Sequence, residues 1–118
     1  MIELLYNEAA DIRSLAANVL GVCLSFSDDT TFNTIVTSTI LSTDVSSIHN
    51  ADERHGRCLA IGQLIKYNNE RSMSYHDHII HDVTAYLKDD VLLIRKTAIS
   101  VSKYILNIYN TMSDENKV

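Results

Sequence analysis

Apolar residues recur along most of the chain at intervals of three and four, which is the spacing of one buried helix face. The pattern is clearest in three stretches and predicts helices near 9–25, 53–67 and 91–109. Residues 30–41 are rich in Thr, Ile and Val, which favour strands, yet their apolar positions follow the helical period. We therefore predict a helix there too, and a further one that ends near Leu87. The pattern predicts an all-α fold.

An arginine recurs at one position of the three clearest helices. Arg13, Arg54 and Arg95 are separated by 41 residues in both steps, and small residues follow the first two closely. A fixed interval of this length is typical of HEAT and armadillo repeats, in which each helix pair covers an apolar flank of the next. Gly21 and Gly62 share another repeat position, where the lack of a side chain predicts close helix packing.

The repeat count predicts an incomplete array. Residues 1–111 hold about two and a half helix pairs, and residues 112–118 are expected to form a polar, frayed tail. Repeats of this kind need neighbours to bury their flanks. We therefore expect a HEAT/armadillo-like α-solenoid fragment that belongs to a longer repeat array and is only marginally stable alone.

Composition narrows the class of protein. The chain has 118 residues, 46% of them hydrophobic, and a net charge of −5, as in an ordinary globular domain. An acidic balance counts against DNA binding, which relies on neutralised phosphates. The acidic N-terminus does not resemble a secretory signal, and no apolar run approaches the roughly 18 residues that cross a bilayer. We expect a cytoplasmic protein without membrane contact.

The residue types that bind metals cluster in one predicted helix. His76, His78 and His81 lie close to Asp77 and Asp82, but they lack the spacing of two histidines at i and i+4 with a distant third ligand. We interpret this cluster as a solvated helix face and expect no metal ion and no other cofactor.

The two cysteines are too few for a disulfide framework. Cys23 and Cys58 both follow apolar helix positions, so we predict reduced, buried thiols. His55 precedes Cys58 by three residues and could contact it, yet no orienting third group accompanies the pair. We therefore expect no catalytic residue and no enzymatic activity.

Basic residues of the predicted second helices form a candidate binding strip. The repeated arginines have a structural interpretation, in which Arg95 pairs with Asp89 of the preceding loop, and a binding interpretation, in which a strip of positive charge contacts phosphate. The strip comprises Arg54, Arg57, Lys66, Arg95, Lys96 and Lys103.

One segment resembles a known family. Residues 53–60, with the sequence Glu-Arg-His-Gly-Arg-Cys-Leu-Ala, are similar to an Arg-His-Gly-Arg-Ser-Leu-Ala element in the C-terminal HEAT array of the general control non-derepressible translational activator family. Residues 12–21 and 94–99 resemble neighbouring helices of that array. Cys58 stands where the family often has serine, and Lys103 interrupts its Leu-Gly pattern.

The resemblance implies a non-enzymatic scaffold for protein partners. Members of that family sense stalled ribosomes, activate the starvation-responsive kinase of initiation factor two alpha, and bind ribosomes and a partner ATP-binding-cassette protein. On this interpretation the basic strip contacts ribosomal RNA phosphate. The alternative is a HEAT module of another scaffold, such as a transport receptor or a proteasome adaptor.

Overall fold

A computed structural model describes residues 2–115 of the chain, and in this part it is built from helices without β-strands. Two 3₁₀ turns, Val45–Ser47 and Met73–Tyr75, and a π-helical segment, Val36–Ile40, complete the regular structure. The prediction of an all-α fold is confirmed. The α-helices are α1 (Ile2–Leu5), α2 (Ala10–Ser25), α3 (Asp29–Ile35), α4 (Ala51–Tyr67), α5 (Asn69–Ser72), α6 (His76–Tyr86) and α7 (Leu92–Glu115).

The three long helices form the main layer of the molecule. Helix α4 is central and packs against α2 on one side and α7 on the other. Helix α6 contacts both α4 and α7, and the π-helical segment contacts α4, so a second layer covers the apolar side of the stack. The core between the layers includes Phe32, Val36, Ile61, Leu64, Ile79, Tyr86 and Ile94, all at most 3% exposed.

The segment around α3 is helical in spite of its strand-favouring composition. Phe32, Val36 and Ile40 are buried at intervals of four, which a π-helical turn keeps on one face. The hydroxyls of Thr34 and Thr37 each donate to a carbonyl four residues back, at 2.9 and 2.8 Å, so they remain satisfied at the surface. Burial on one face thus overrides β-propensity.

The structure changes two local expectations. Helix α7 continues to Glu115, beyond Met112, where we expected a frayed tail to begin. No glycine or proline interrupts this stretch, and the Thr111 hydroxyl donates to the Asn107 carbonyl at 2.9 Å. Residues 116–118 of the predicted tail lie outside the described residues. In the second layer, Ser74 with Asp77 three residues later has the sequence of a capping box, which predicts that Ser74 caps α6. Its hydroxyl instead donates to the carbonyl of Arg71 at 3.1 Å.

Candidate interaction surface

The repeated arginine has the same main-chain contact in all three long helices. In each case an Nη1 hydrogen is donated to the carbonyl oxygen six residues upstream, which ties the helix to the loop before it. Each arginine therefore needs the same position relative to the loop before its helix, which fits its recurrence at one position of the repeat. The donor and acceptor pairs are Arg13 with Asn7 (2.6 Å), Arg54 with Ile48 (2.8 Å) and Arg95 with Asp89 (2.5 Å).

Two of these arginines also bind a carboxylate of the next repeat. Arg13 donates to Asp52 at 3.1 Å, and Arg54 holds Asp89 with two hydrogen bonds of 2.8 and 3.3 Å. Arg95 contacts Asp89, as expected, but it does so through the main-chain oxygen of Asp89, whereas the Asp89 carboxylate binds Arg54. Stitching between repeats, however, does occur through arginines.

A buried polar chain crosses all three long helices. Arg13 Nε–H donates to His55 Nδ1 at 3.0 Å, so the other ring nitrogen carries the proton and donates to the Thr97 hydroxyl, also at 3.0 Å. Thr97 in turn donates to the carbonyl of Leu93 at 3.0 Å. Burial, together with the nearby positive charge of Arg13, lowers the pKa of His55 to about 4. His55 is thus a neutral connector between helices at ordinary pH.

The other residues of the Arg-His-Gly-Arg element have packing roles. A Cβ atom on Gly56 would lie 1.9 Å from the carbonyl oxygen of Leu5, so α1 rests directly on the backbone of α4. Arg57 donates to the Leu41 carbonyl at 3.0 Å and to Glu53 at 3.2 Å. The Arg-His-Gly-Arg element, which carries the family resemblance, therefore contributes to helix packing.

Gly21 and Gly62 occupy the same repeat position, but the neighbouring helix lies closer to Gly21 than to Gly62. A Cβ atom on Gly21 would lie 2.9 Å from Cβ of Gln63 and 3.0 Å from its carbonyl oxygen. On Gly62 it would lie 3.2 Å from a methyl group of Val101. Lys103 occupies the same position in α7.

The structure does not bring the predicted basic strip together as one exposed surface. The side chains of Arg54 and Arg57 are only 16% and 15% exposed because both are engaged in the contacts above. Three lysines of the strip reach the surface. Lys66 lies 5.2 Å from the centre of the Tyr67 ring, and Lys96 and Lys103 are exposed on α7.

The histidine cluster on α6 is tied to the adjacent loop. Asp82 is fully buried and accepts a hydrogen bond from the Ser42 amide at 2.9 Å, while His78 Nε2–H donates to the Ser42 carbonyl at 2.6 Å. His81 lies 3.3 Å from Asp82 and is largely exposed. Among residues described by the structure, no group of three or more His, Cys, Asp or Glu side chains is arranged to hold a metal ion.

The two cysteines differ in environment. Cys58 is buried, and its burial raises the pKa of its thiol to about 12, so it is not a nucleophile at neutral pH. Cys23 is exposed, which corrects the prediction that both thiols are buried.

The described helices include none with the length and apolar character needed to cross a bilayer.

Stacked long helices joined at a constant chain interval define the molecule as an armadillo/HEAT-like repeat, a scaffold type of fold. The family model "ECM29, ARM-like repeats" matches residues 1–116. The chain therefore belongs to the ECM29 family of ARM-like repeats. No curated protein matches the sequence, and no solved structure does.

Proposed function

We propose that this chain is a protein-docking module of an armadillo-like scaffold and performs no chemistry itself. The observation that carries the proposal is the stack of α2, α4 and α7, which buried polar contacts hold in one arrangement. Such a stack presents side chains of three helices to a partner without reorganisation, which reduces the entropy lost on binding. Membership of a repeat family supports the same proposal.

The partner we propose is an acidic protein segment. Lys96 and Lys103 are seven residues, or about two turns, apart on one side of α7. The position of α4 that corresponds to Lys103 is Gly62, and Lys66 lies four residues, about one turn, after it. Among the described residues, no carboxylate forms an ion pair with any of these lysines. Positive charge on an otherwise acidic molecule favours encounter with an acidic partner surface.

Binding of a short, labelled polyglutamate peptide tests this proposal. We expect saturable binding at low salt that weakens as salt is added, because exposed charges are screened. Lys96→Glu should reduce the affinity several-fold. The matched control is Lys88→Glu, an identical charge change on an exposed residue between α6 and α7. Absence of binding by the wild type, or an equal loss in both variants, would contradict the proposal.

The resemblance of residues 53–60 supports a second, more specific candidate: a cytoplasmic scaffold in translational control that contacts the ribosome. Its support is limited to that motif, whose residues are engaged in helix packing. The alternative is a module of another scaffold, such as a transport receptor or proteasome adaptor. In that case too the helix stack would be the docking surface for a protein partner.

Ribosome co-sedimentation at low and moderate salt separates these two candidates. Lys96→Glu is the suitable variant, with Lys88→Glu as its control. Reversing Arg54 or Arg57 would remove helix contacts and confuse binding with folding. Salt-sensitive sedimentation that Lys96→Glu abolishes would support translational control, whereas no sedimentation by the wild type would remove this candidate.

A further inference from the structure

Both ends of the helix stack expose apolar side chains. On α7, Leu92, Ile99 and Leu106 follow one another at intervals of seven and are 55%, 47% and 61% exposed. On α2, Leu15 is 62% exposed and Phe26 is 86% exposed. We call these two surfaces the α7 face and the α2 face.

The repeat register shows that the α7 face corresponds to an internal contact surface. The residues of α4 that precede Ile99 and Leu106 by 41 positions are Cys58 and Ile65, which are 0% and 5% exposed. By the same interval, Arg95 of the α7 face corresponds to Arg54, which binds Asp89 in the loop before α7. The α7 face is thus the surface with which an α4-like helix receives its neighbour.

The α2 face corresponds to the complementary surface. Helix α4 approaches α2 through Gln63 and Tyr67, which lie closest to Gly21. The residues of α2 that precede these two by 41 positions are Val22 and Phe26. The α2 face is therefore built like the surface with which α4 docks on its neighbour.

The charges of the two faces are opposite. Arg13 and Arg54 each bind a carboxylate of the following repeat, whereas Arg95 forms no ion pair with any carboxylate of the described chain. Asp52, the partner of Arg13, has its equivalent 41 residues earlier in Asp11, which is exposed on α2. Glu8 precedes Asp11 by three residues, and Lys96 directly follows Arg95, so each of these two positions has a neighbour of the same charge.

We infer that the chain associates with a second copy of itself head to tail, the α2 face of one copy stacking on the α7 face of the other with Asp11 beside Arg95. Because the two faces differ, the contact does not close on itself, and oligomers should grow with protein concentration. The acidic partner proposed above would bind the same α7 face, at Lys96, and would therefore compete with a second copy. Measurements on the chain without peptide test this inference separately from the proposed function.

Lys103 makes the proposed contact weaker than the internal ones. It stands at the position of Gly21 and Gly62, where the neighbouring helix comes close. Its long side chain must therefore be displaced toward solvent when a second copy stacks. Shortening it should tighten association, which is the opposite of what a purely electrostatic contact would give.

Two face-blocking variants test the inference by analytical ultracentrifugation of the full chain. Leu15→Glu blocks the α2 face and Ile99→Glu blocks the α7 face, and both positions are exposed, so folding is retained and can be checked by circular dichroism. The wild type should increase in mean mass with concentration, while each variant alone stays monomeric. An equimolar mixture should form a one-to-one dimer and nothing larger, since it holds only one intact pair of faces.

Lys103→Ala provides the second measurement. It should lower the dissociation constant by about tenfold or more, equivalent to at least about 1.4 kcal/mol, while Lys88→Ala leaves it unchanged. A wild type that remains monomeric at every concentration, variants that associate like the wild type, a mixture without dimer, or weaker association of Lys103→Ala would each overturn the inference.

Discussion

The two internal helix interfaces use one arginine register but differ in closeness and polarity. Between α2 and α4, backbone and side-chain atoms of Gln63 come so near Gly21 that a methyl group would overlap them. Between α4 and α7, the nearest atom to Gly62 is a single methyl group of Val101. The comparison teaches that the arginine contacts set the register of the repeat, whereas the helix separation follows from the residues that happen to face the glycine.

The ion pairs of the two interfaces also differ. Asp89, in the interface with α7, has a side chain only 6% exposed and holds Arg54 with two hydrogen bonds. Asp52, in the interface with α2, is 41% exposed and accepts one hydrogen bond from Arg13. Because the Asp89 carboxylate is buried, removing one partner of the Arg54–Asp89 pair should cost more free energy of unfolding than removing one partner of the Arg13–Asp52 pair.

The largest predicted effect separates these two pairs. Asp89→Ala should lower the free energy of unfolding by about 3 kcal/mol, because it leaves a largely buried guanidinium without its counter-ion. Asp52→Ala should lower it by only about 1 kcal/mol, because the Asp52 carboxylate is exposed to water and accepts a single hydrogen bond. The Arg13 guanidinium is buried, but it keeps its hydrogen bonds to the Asn7 carbonyl and to His55. Urea denaturation of both variants measures the difference. Equal losses would show that the two interfaces do not differ in this respect.

The sequence predicts the fold through its periodicity and the 41-residue interval, but it does not predict the polar chain that joins the helices. Arg13, His55 and Thr97 are spaced by 42 residues and are of three different types, so a search for repeated residues passes over them. A hydrogen bond joins a donor to an acceptor of a different kind, whereas a sequence repeat is recognised by identical residues. The spacing of 42 residues in this chain of contacts is nevertheless only one residue longer than the 41-residue interval of the arginines.

The sequence also does not predict which side chains of a helix are exposed to solvent and which are covered by other segments. Cys23 lies on an apolar pattern like that of Cys58, yet Cys58 is buried and Cys23 is exposed. Likewise, Arg54 and Arg57 look like free charges in the sequence but are engaged by carbonyl and carboxylate oxygens of other segments. Which side of a helix is covered depends on its neighbours in space, and a single helix pattern does not specify them.

The second prediction concerns His55, which belongs to both interfaces. In the folded chain its pKa is about 4, against 6.5 for an ordinary histidine. Below pH 6.5 the unfolded chain therefore binds a proton that the folded chain does not, and stability falls as the pH is lowered. The slope is about 1.4 kcal/mol per pH unit, so this residue should remove about 2 kcal/mol by pH 5.

His55→Gln provides the control for this pH dependence. A glutamine side chain has an acceptor for Arg13 and a donor for Thr97, but it does not titrate. Urea denaturation between pH 7 and about pH 4 should give a shallower decline for the variant than for the wild type. Other groups titrate equally in both chains, so parallel curves would show that His55 is not the neutral connector described above.

The smallest predicted effect tests the difference in closeness directly. Gly21→Ala should destabilise the protein by about 1 kcal/mol, because overlap with Gln63 outweighs the gain in helix propensity. Gly62→Ala should be neutral or stabilising by up to about 1 kcal/mol, since the Val101 methyl group can move by the few tenths of an ångström required. Thermal and urea denaturation of the matched pair give the sign of each change. Equal destabilisation by both substitutions would contradict the conclusion that the helices pack more closely at Gly21 than at Gly62.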